Sequence, residues 1–225
     1  MAASRLRRVL ALVRRLPGAS SAELYVRRAV FIRDLRRLND VLATTALANR
    51  YFVCGGLLLG WARNGKVLLE DIDDADFAYL AEDAGAFESA ARVLARAGYE
   101  PVARFVNNDG QPTEHVFRRH GARFEFFALW HREGLVRYFM YDAGDELVCE
   151  RAHQDLVPFR FLGRTWLKPA GHEAVLTATY GDWRSSRADW NFADAGTVIA
   201  RRPATFARQP WNPVAGELPS LPSPK

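Results

Sequence analysis

The run Glu70-Asp71-Ile72-Asp73-Asp74-Ala75-Asp76-Phe77 packs five acids into seven residues and then passes straight into apolar sequence. In a strand that begins at Asp74, side chains alternate: Asp74 and Asp76 share one face, while Ala75, Phe77 and Tyr79 turn towards a core. Two carboxylates ~7 Å apart along a strand repel each other unless a cation sits between them. A hard divalent ion, Mg²⁺ (or Mn²⁺), suits carboxylate oxygens and phosphoryl-type chemistry. The bland alternative is a solvated acidic turn. The apolar strand behind the acids and the glycine-rich turn ahead of them favour a metal pair. A shifted register would make Asp71 and Asp73 that pair.

The third acid of such a site should come from a neighbouring strand. In Arg123-Phe124-Glu125-Phe126-Phe127-Ala128, Glu125 stands alone among aromatics. A lone carboxylate on an apolar strand is costly to bury without a partner. A metal is one partner; Arg123, on the same face, is the other. Asp74, Asp76 and Glu125 are therefore the expected metal ligands and catalytic acids. Upstream, Gly55 and Gly56 open a short helix whose free N–H groups and positive dipole end attract phosphate. Arg63, two turns later, reaches towards the same anion with a forked guanidinium. The expected phosphate site is Gly55, Gly56 and Arg63.

Other chemistries find less support. The five histidines show no metal-ligand spacing, and the two cysteines, Cys54 and Cys149, form no C-x-x-C pair, which argues against a cysteine zinc site. Ser185-Ser186 and Asp189-Trp190 fit a lid or a plain loop.

The elements that must position these groups follow from periodicity and punctuation. Phe31, Leu35, Leu38 and Leu42 make the buried stripe of a helix that follows the capping-box form Ser20-Ser21-Ala22-Glu23 and runs to about residue 48. A short strand over 51–54 leads to the Gly-Gly helix, which Asn64-Gly65 stops. A strand from Asp74 to Leu80 and a helix over about 83–97 follow. Strands are expected near 99–107, 114–119, 122–130, 135–141, 146–149, 159–161 and 164–167, with His120-Gly121 as a hairpin turn, and a last helix near 171–180. This order predicts one α+β domain with a mixed or antiparallel sheet over residues 18–202.

Two segments stand apart. Residues 4–16 read as a short basic helix with Leu6, Val9, Leu10 and Val13 on one side, suited to an anionic membrane surface or to a solvated arm. Residues 203–225 are Pro-rich and without periodicity, and are expected to be a disordered tail.

With 49% hydrophobic residues and six Trp and fourteen Phe, the chain can bury a core over most of its length. A formal charge of +5 suits an anionic ligand or surface. The basic residues are not interleaved with aromatics in one stretch, so nucleic acid is not the expected partner. No apolar run approaches the ~20 residues of a membrane helix or the ~7–15 of a signal core. The expected location is the cytoplasm, with peripheral contact at the inner face of the membrane through residues 4–16.

The block Gly55-Gly56-Leu57-Leu58-Leu59-Gly60-Trp61-Ala62-Arg63-Asn64-Gly65, followed by Asp73-Asp74-Ala75-Asp76, resembles the LicD/fukutin family of phosphotransferases, members of the nucleotidyltransferase superfamily. That pattern runs Gly-Gly-Ser/Thr-Leu-Leu-Gly-x-x-Arg-His/Asn-Gly and then Asp-x-Asp. The family also ends its domain with a Pro-start helix leading into Tyr-Gly-Asp-Trp, matched here by Lys168-Pro169 and by Tyr180-Gly181-Asp182-Trp183. The resemblance spans roughly residues 50–185. Leu57 stands where the pattern has Ser or Thr, Leu69-Glu70 replaces a Pro-Trp, and the acidic run is one residue longer. The resemblance implies a nucleotidyltransferase-like mixed sheet flanked by helices, with Asp74, Asp76 and Glu125 on Mg²⁺ and Gly56 and Arg63 on nucleotide phosphate. It further implies transfer of a phosphorylated group from a CDP-linked donor (choline or alditol type) to a glycan or glycolipid hydroxyl. The alternatives are a nucleotidyltransferase that moves NMP itself, and a non-catalytic member that binds a nucleotide or a membrane partner.

Overall fold

The structure is a computed structural model that describes residues 19–69, 71–186, 190–204 and 208–214. The basic segment 4–16, Glu70, Asp189 and residues 215–225 lie outside the described residues.

The chain builds one α+β domain with a mostly antiparallel sheet flanked by helices. Helix α1 (Ala19–Leu42) is followed by strand β1 (Tyr51–Val53), helix α2 (Gly55–Asn64), strand β2 (Asp74–Leu80) and helix α3 (Ala84–Arg96). Seven strands come next: β3 (Glu100–Val106), β4 (Pro112–Arg119), β5 (Ala122–Arg132), β6 (Leu135–Asp142), β7 (Asp145–Ala152), β8 (Leu156–Phe161) and β9 (Arg164–Pro169). Helix α4 (His172–Tyr180) and strand β10 (Val198–Pro203) complete the described fold.

Eight strands form one sheet in the order β1-β2-β5-β6-β7-β10, with β4 also on β5 and β3 on β4. The pair β8–β9 stands apart. Among the described residues every pairing is antiparallel except β2–β5. A parallel pair needs a crossover, and the chain supplies it through α3 and the β3–β4 hairpin. His120, with φ +48, and Gly121, with φ +94, make the tight turn between β4 and β5.

The expected helix stripe is present: Phe31, Leu35, Leu38 and Leu42 are all buried. Helix α1 is already running at Ala19, and it ends at Leu42 rather than near 48. The Thr44 and Thr45 hydroxyls bond back to the Val41 and Leu42 carbonyls, each at 2.8 Å, and so compete with helical hydrogen bonding. Asp34, fully buried on α1, ties the helix to the β4–β5 turn through His120 Nδ1 at 2.6 Å and Arg119 Nε at 3.3 Å. Between the helices and the sheet, Phe77 lies in the core between Phe126 (ring centroids 5.2 Å apart) and Trp166 (5.8 Å). Ala75, Phe77 and Tyr79 are buried as the alternation requires.

The C-terminal region departs from expectation. Val198–Pro203 is an edge strand on β7. Its residues are mostly exposed and carry Arg201 and Arg202, so no apolar alternation marks it in the sequence. Arg202 is held by buried Glu146 at 2.6 Å. Beyond it, Gln209 bridges to Arg104, and Trp211 packs its ring on His115 (4.6 Å), Phe117 (5.2 Å) and Phe87 (6.2 Å). Residues 208–214, within the segment expected as a Pro-rich tail, thus include one large aromatic side chain that packs on the domain, and the prolines around it hide it from periodicity arguments. No helix among the described residues is long and apolar enough to cross a membrane.

If Trp211 anchors this segment, Trp211→Ala should destabilise the protein by about 2 kcal/mol, below the roughly 3–5 kcal/mol of a fully buried aromatic. Urea unfolding should show a lower midpoint at an unchanged slope.

Candidate metal centre

Seven residues of β2 pair in parallel with β5, from Asp74 opposite Arg123 to Leu80 opposite Leu129, and this register sets Asp76 beside Glu125. The three expected acids converge: one carboxylate oxygen from each of Asp74, Asp76 and Glu125 lies within 4.8 Å of the others. Asp73 turns away to Arg27 at 2.9 Å, so the acids that share the site are Asp74 and Asp76 and not the shifted pair. Asp71 lines the cavity beside the site.

The supports of the cluster are few. Asp76 Oδ2 accepts the Gly56 N–H at 2.9 Å. Asp74 Oδ2 accepts from Arg123 Nη2 at 2.7 Å, and Arg123 Nε lies 3.3 Å from Glu125 Oε1. Arg123 is thus a partner of the acids, as one reading of its position held. It does not satisfy them: Asp74 Oδ1 is buried with no hydrogen-bond partner among the described residues.

Asp74 and Glu125 share the Arg123 guanidinium, Asp76 has only the Gly56 amide, and the pKa values of all three respond. Burial pushes the Asp76 carboxyl well above the usual carboxylate range, and the charges of Asp74 and Glu125 push it further against the Gly56 amide. Burial, then Glu114 and Asp74, raise Glu125 to about 8. Burial also raises Asp74, against the opposing pull of Arg123. A hard cation among these oxygens would answer the orphaned Asp74 oxygen and the repulsion together, so the donor set fits Mg²⁺ or Mn²⁺.

A fourth acid, Glu114 on β4, was not singled out in the sequence. It is buried opposite Phe127, on the same sheet face as Glu125, and burial with the Asp76 charge raises it to about 8. Its only signal is one acid at the head of the apolar run Val116-Phe117.

The glycines act on the acids directly. Gly55 has φ +51, and a Cβ there would stand 2.1 Å from Asp76 Oδ2. A Cβ on Gly56 would stand 2.3 Å from Asp71 Oδ2. The Gly-Gly turn is therefore the close approach of a backbone to carboxylates. The Gly56 N–H at the start of α2 donates to Asp76, so the protein's own carboxylate is an anion at this helix terminus.

Arg63, near the end of α2, donates through Nε to the Trp183 carbonyl and through Nη2 to the Ser185 carbonyl at 2.8 Å. It ties α2 to the segment that follows α4, while still lining the cavity. That cavity measures about 370 Å³ and opens beside Asp74, Asp76, Gly55 and Gly56. Its roof comes from α4 and the segment after it, where Tyr180 and Trp190 pack ring on ring at 4.6 Å. The Tyr180 phenol is pushed well above its ordinary value by burial and then by Asp76. Ser185, Ser186 and Trp190 also line the cavity, so the expected lid or loop borders the site.

Neither a family model nor a curated protein matches the chain.

Two outcomes are expected from this geometry. Gly55→Ala should weaken Mn²⁺ affinity at least tenfold in calorimetry, because the new methyl displaces Asp76. It should also cost about 1–2 kcal/mol of stability for the left-handed backbone. In EDTA, thermal stability should fall as pH rises from about 4.5 towards 8. Glu125 and Glu114 ionise near 4.5 when unfolded and near 8 when folded, so the folded state holds more protons in that window and loses its advantage as they leave. Mg²⁺ should flatten this slope, read as melting temperature against pH with and without metal.

Proposed function

We propose that this chain is a divalent-metal-dependent transferase of the nucleotidyltransferase type, which moves a phosphorylated group from a CDP-linked donor, of the choline or alditol kind, to a glycan hydroxyl. The observation that carries the reading is the convergence of Asp74, Asp76 and Glu125 at the edge of a cavity, with one Asp74 oxygen buried and unbonded. The donor class rests on the resemblance of residues 50–185 to the LicD/fukutin pattern.

Two observations support that resemblance. Its two sequence blocks meet in space, because Arg63 of the first bonds the backbone of Trp183 and Ser185 in and beside the second. Its main departure, Leu57, is buried in the hydrophobic core and does not line the cavity. The cavity is also of a size that takes small-molecule ligands, commonly about 300–1,000 Å³.

A bound divalent ion would supply neutralisation of phosphate oxygens and a lower pKa for a coordinated hydroxyl. The chain's residues do the rest. Asp74, Asp76 and Glu125 would hold the ion. The Gly56 amide fixes Asp76, and Arg123 fixes Asp74 and draws Glu125 towards it. Arg63 keeps the segment after α4 over the cavity, which limits water at the reacting phosphate. Catalysis of this kind is mostly positioning and charge stabilisation.

Asp76→Asn should abolish transfer and Mn²⁺ binding while keeping the fold, and the metal-free variant should melt no lower than wild type because like-charge repulsion is relieved. Calorimetry should show CDP-choline or CDP-ribitol binding more tightly than CMP, and only with Mg²⁺ present. Equal binding of all three without metal would sink the reading; tight binding of ATP alone would point to NMP transfer instead.

A further inference from the structure

One face of the sheet forms the cavity floor. Asp74 and Asp76 of β2 lie on it, and the strand registers carry the same face across Ala78, then Phe127 and Leu129 of β5, then Tyr138 and Met140 of β6. The middle of this floor is apolar. On β7, opposite Val136, the face ends in Arg151, which also lines the cavity.

Arg151 differs from the other arginines that meet acids in this fold. Arg123 has Asp74 and Glu125, Arg137 has Glu150, Arg164 has Asp40, and Arg202 has Glu146. Among the described residues no carboxylate lies within salt-bridge distance of Arg151, and its side-chain hydrogen bond is Nη1 to the Ala152 carbonyl at 3.2 Å. The groups that act on it are the Tyr138 phenol and the Cys54 thiol, both neutral at pH 7, and burial works against its charge. The Cys54 thiol in turn lies within electrostatic reach of Asp76 as well as of Arg151, so Arg151 and the acidic cluster serve one cavity. A guanidinium keeps its proton under all ordinary conditions. Holding it partly desolvated without a counter-ion costs free energy, and a forked donor is built for a planar or tetrahedral oxyanion.

We infer that Arg151 is an oxyanion-binding residue, and that the cavity's ligand carries a phosphate or carboxylate on Arg151 in addition to the group held at the acidic cluster, with an apolar stretch of floor between the two. As a statement about substrate, this rests on the transfer reading above: the substrate of that transfer carries a second anionic group beyond the phosphate that meets the metal. As a statement about binding, it rests on the cavity and Arg151 alone.

The test separates the two. Full-length protein in EDTA is titrated with inorganic phosphate, and in parallel with acetate, by calorimetry. Without metal the acidic cluster holds no cation for either anion, and Arg63 spends its fork on the Trp183 and Ser185 carbonyls, so among the described lining residues Arg151 is the guanidinium left to an anion. Wild type and Asp76→Asn should bind phosphate alike. Arg151→Met should lose at least tenfold in affinity, and Arg151→Lys, which keeps the charge without the fork, should fall between. Near-UV circular dichroism checks that each variant keeps its packing, and Mn²⁺ binding followed by electron paramagnetic resonance should survive Arg151→Met and vanish in Asp76→Asn. A preference for acetate over phosphate would identify the second group as a carboxylate. No phosphate or acetate binding by wild type, or binding that Arg151→Met and Arg151→Lys leave unchanged, overturns the assignment. Loss of Mn²⁺ binding with retained Arg151-dependent anion binding would not be expected in wild type; if it occurred there, the metal reading would fall and the oxyanion site would stand.

Discussion

The parallel pairing of β2 with β5 is the constraint on which the rest depends. It is the one parallel pair in an otherwise antiparallel sheet, among the described residues, and it places the starts of two strands side by side. Because both strands run the same way, Asp76 and Glu125 share a level and a face, and the crossover through α3 and the β3–β4 hairpin exists to bring that alignment about. The opposite faces of the same strands hold Phe77 and Phe126 in contact at the centre of the core. A slip of one residue would bury the acids among the aromatics and expose the aromatics to the cavity. Core packing therefore fixes the site's geometry.

That geometry is electrostatically unfavourable as it stands. Of the three clustered carboxylates, Asp74 and Glu125 pair with Arg123 and Asp76 accepts one backbone amide, while a fourth acid, Glu114, lies nearby. Their raised pKa values record the cost: in the metal-free protein near neutral pH, ionising the whole cluster works against folding. A fold tolerates such a concentration of charge where the surrounding core is large, and the aromatic core around Phe77, Phe87 and Trp166 is large. The same balance makes the site receptive to a cation, since binding removes repulsion as well as forming new bonds.

The acidic cluster also shapes its surroundings. A Cβ would meet Asp76 at Gly55 and Asp71 at Gly56, so carboxylates already press on the Gly-Gly turn before any ligand is considered. Arg63, at the far end of the same short helix, spends its fork on two carbonyls 120 and 122 residues away and thereby holds the cavity's roof. Acid cluster, helix and roof form one connected unit, with Arg151 at the other end of the floor.

The sequence by itself determined the local features. Period-two placement assigned Asp74 and Asp76 to one face, helical spacing gave the α1 stripe, and Gly65 and Gly121 marked turns, because these depend only on neighbours in the chain. It also picked Glu125 as an isolated acid among aromatics. What it left open was decided by tertiary structure: that Asp73 goes to Arg27 and Asp74 to the cluster, that Arg63 meets backbone carbonyls, and that Glu114 and Arg151 belong to the same surroundings. The edge strand β10 and the Trp211 anchor were likewise invisible, since an exposed arginine-bearing strand has no apolar period and a single aromatic has none either. Each of these depends on which distant strand lies alongside, and strand pairing is settled by the packing of both sheet faces at once, not by the spacing of residues along one segment.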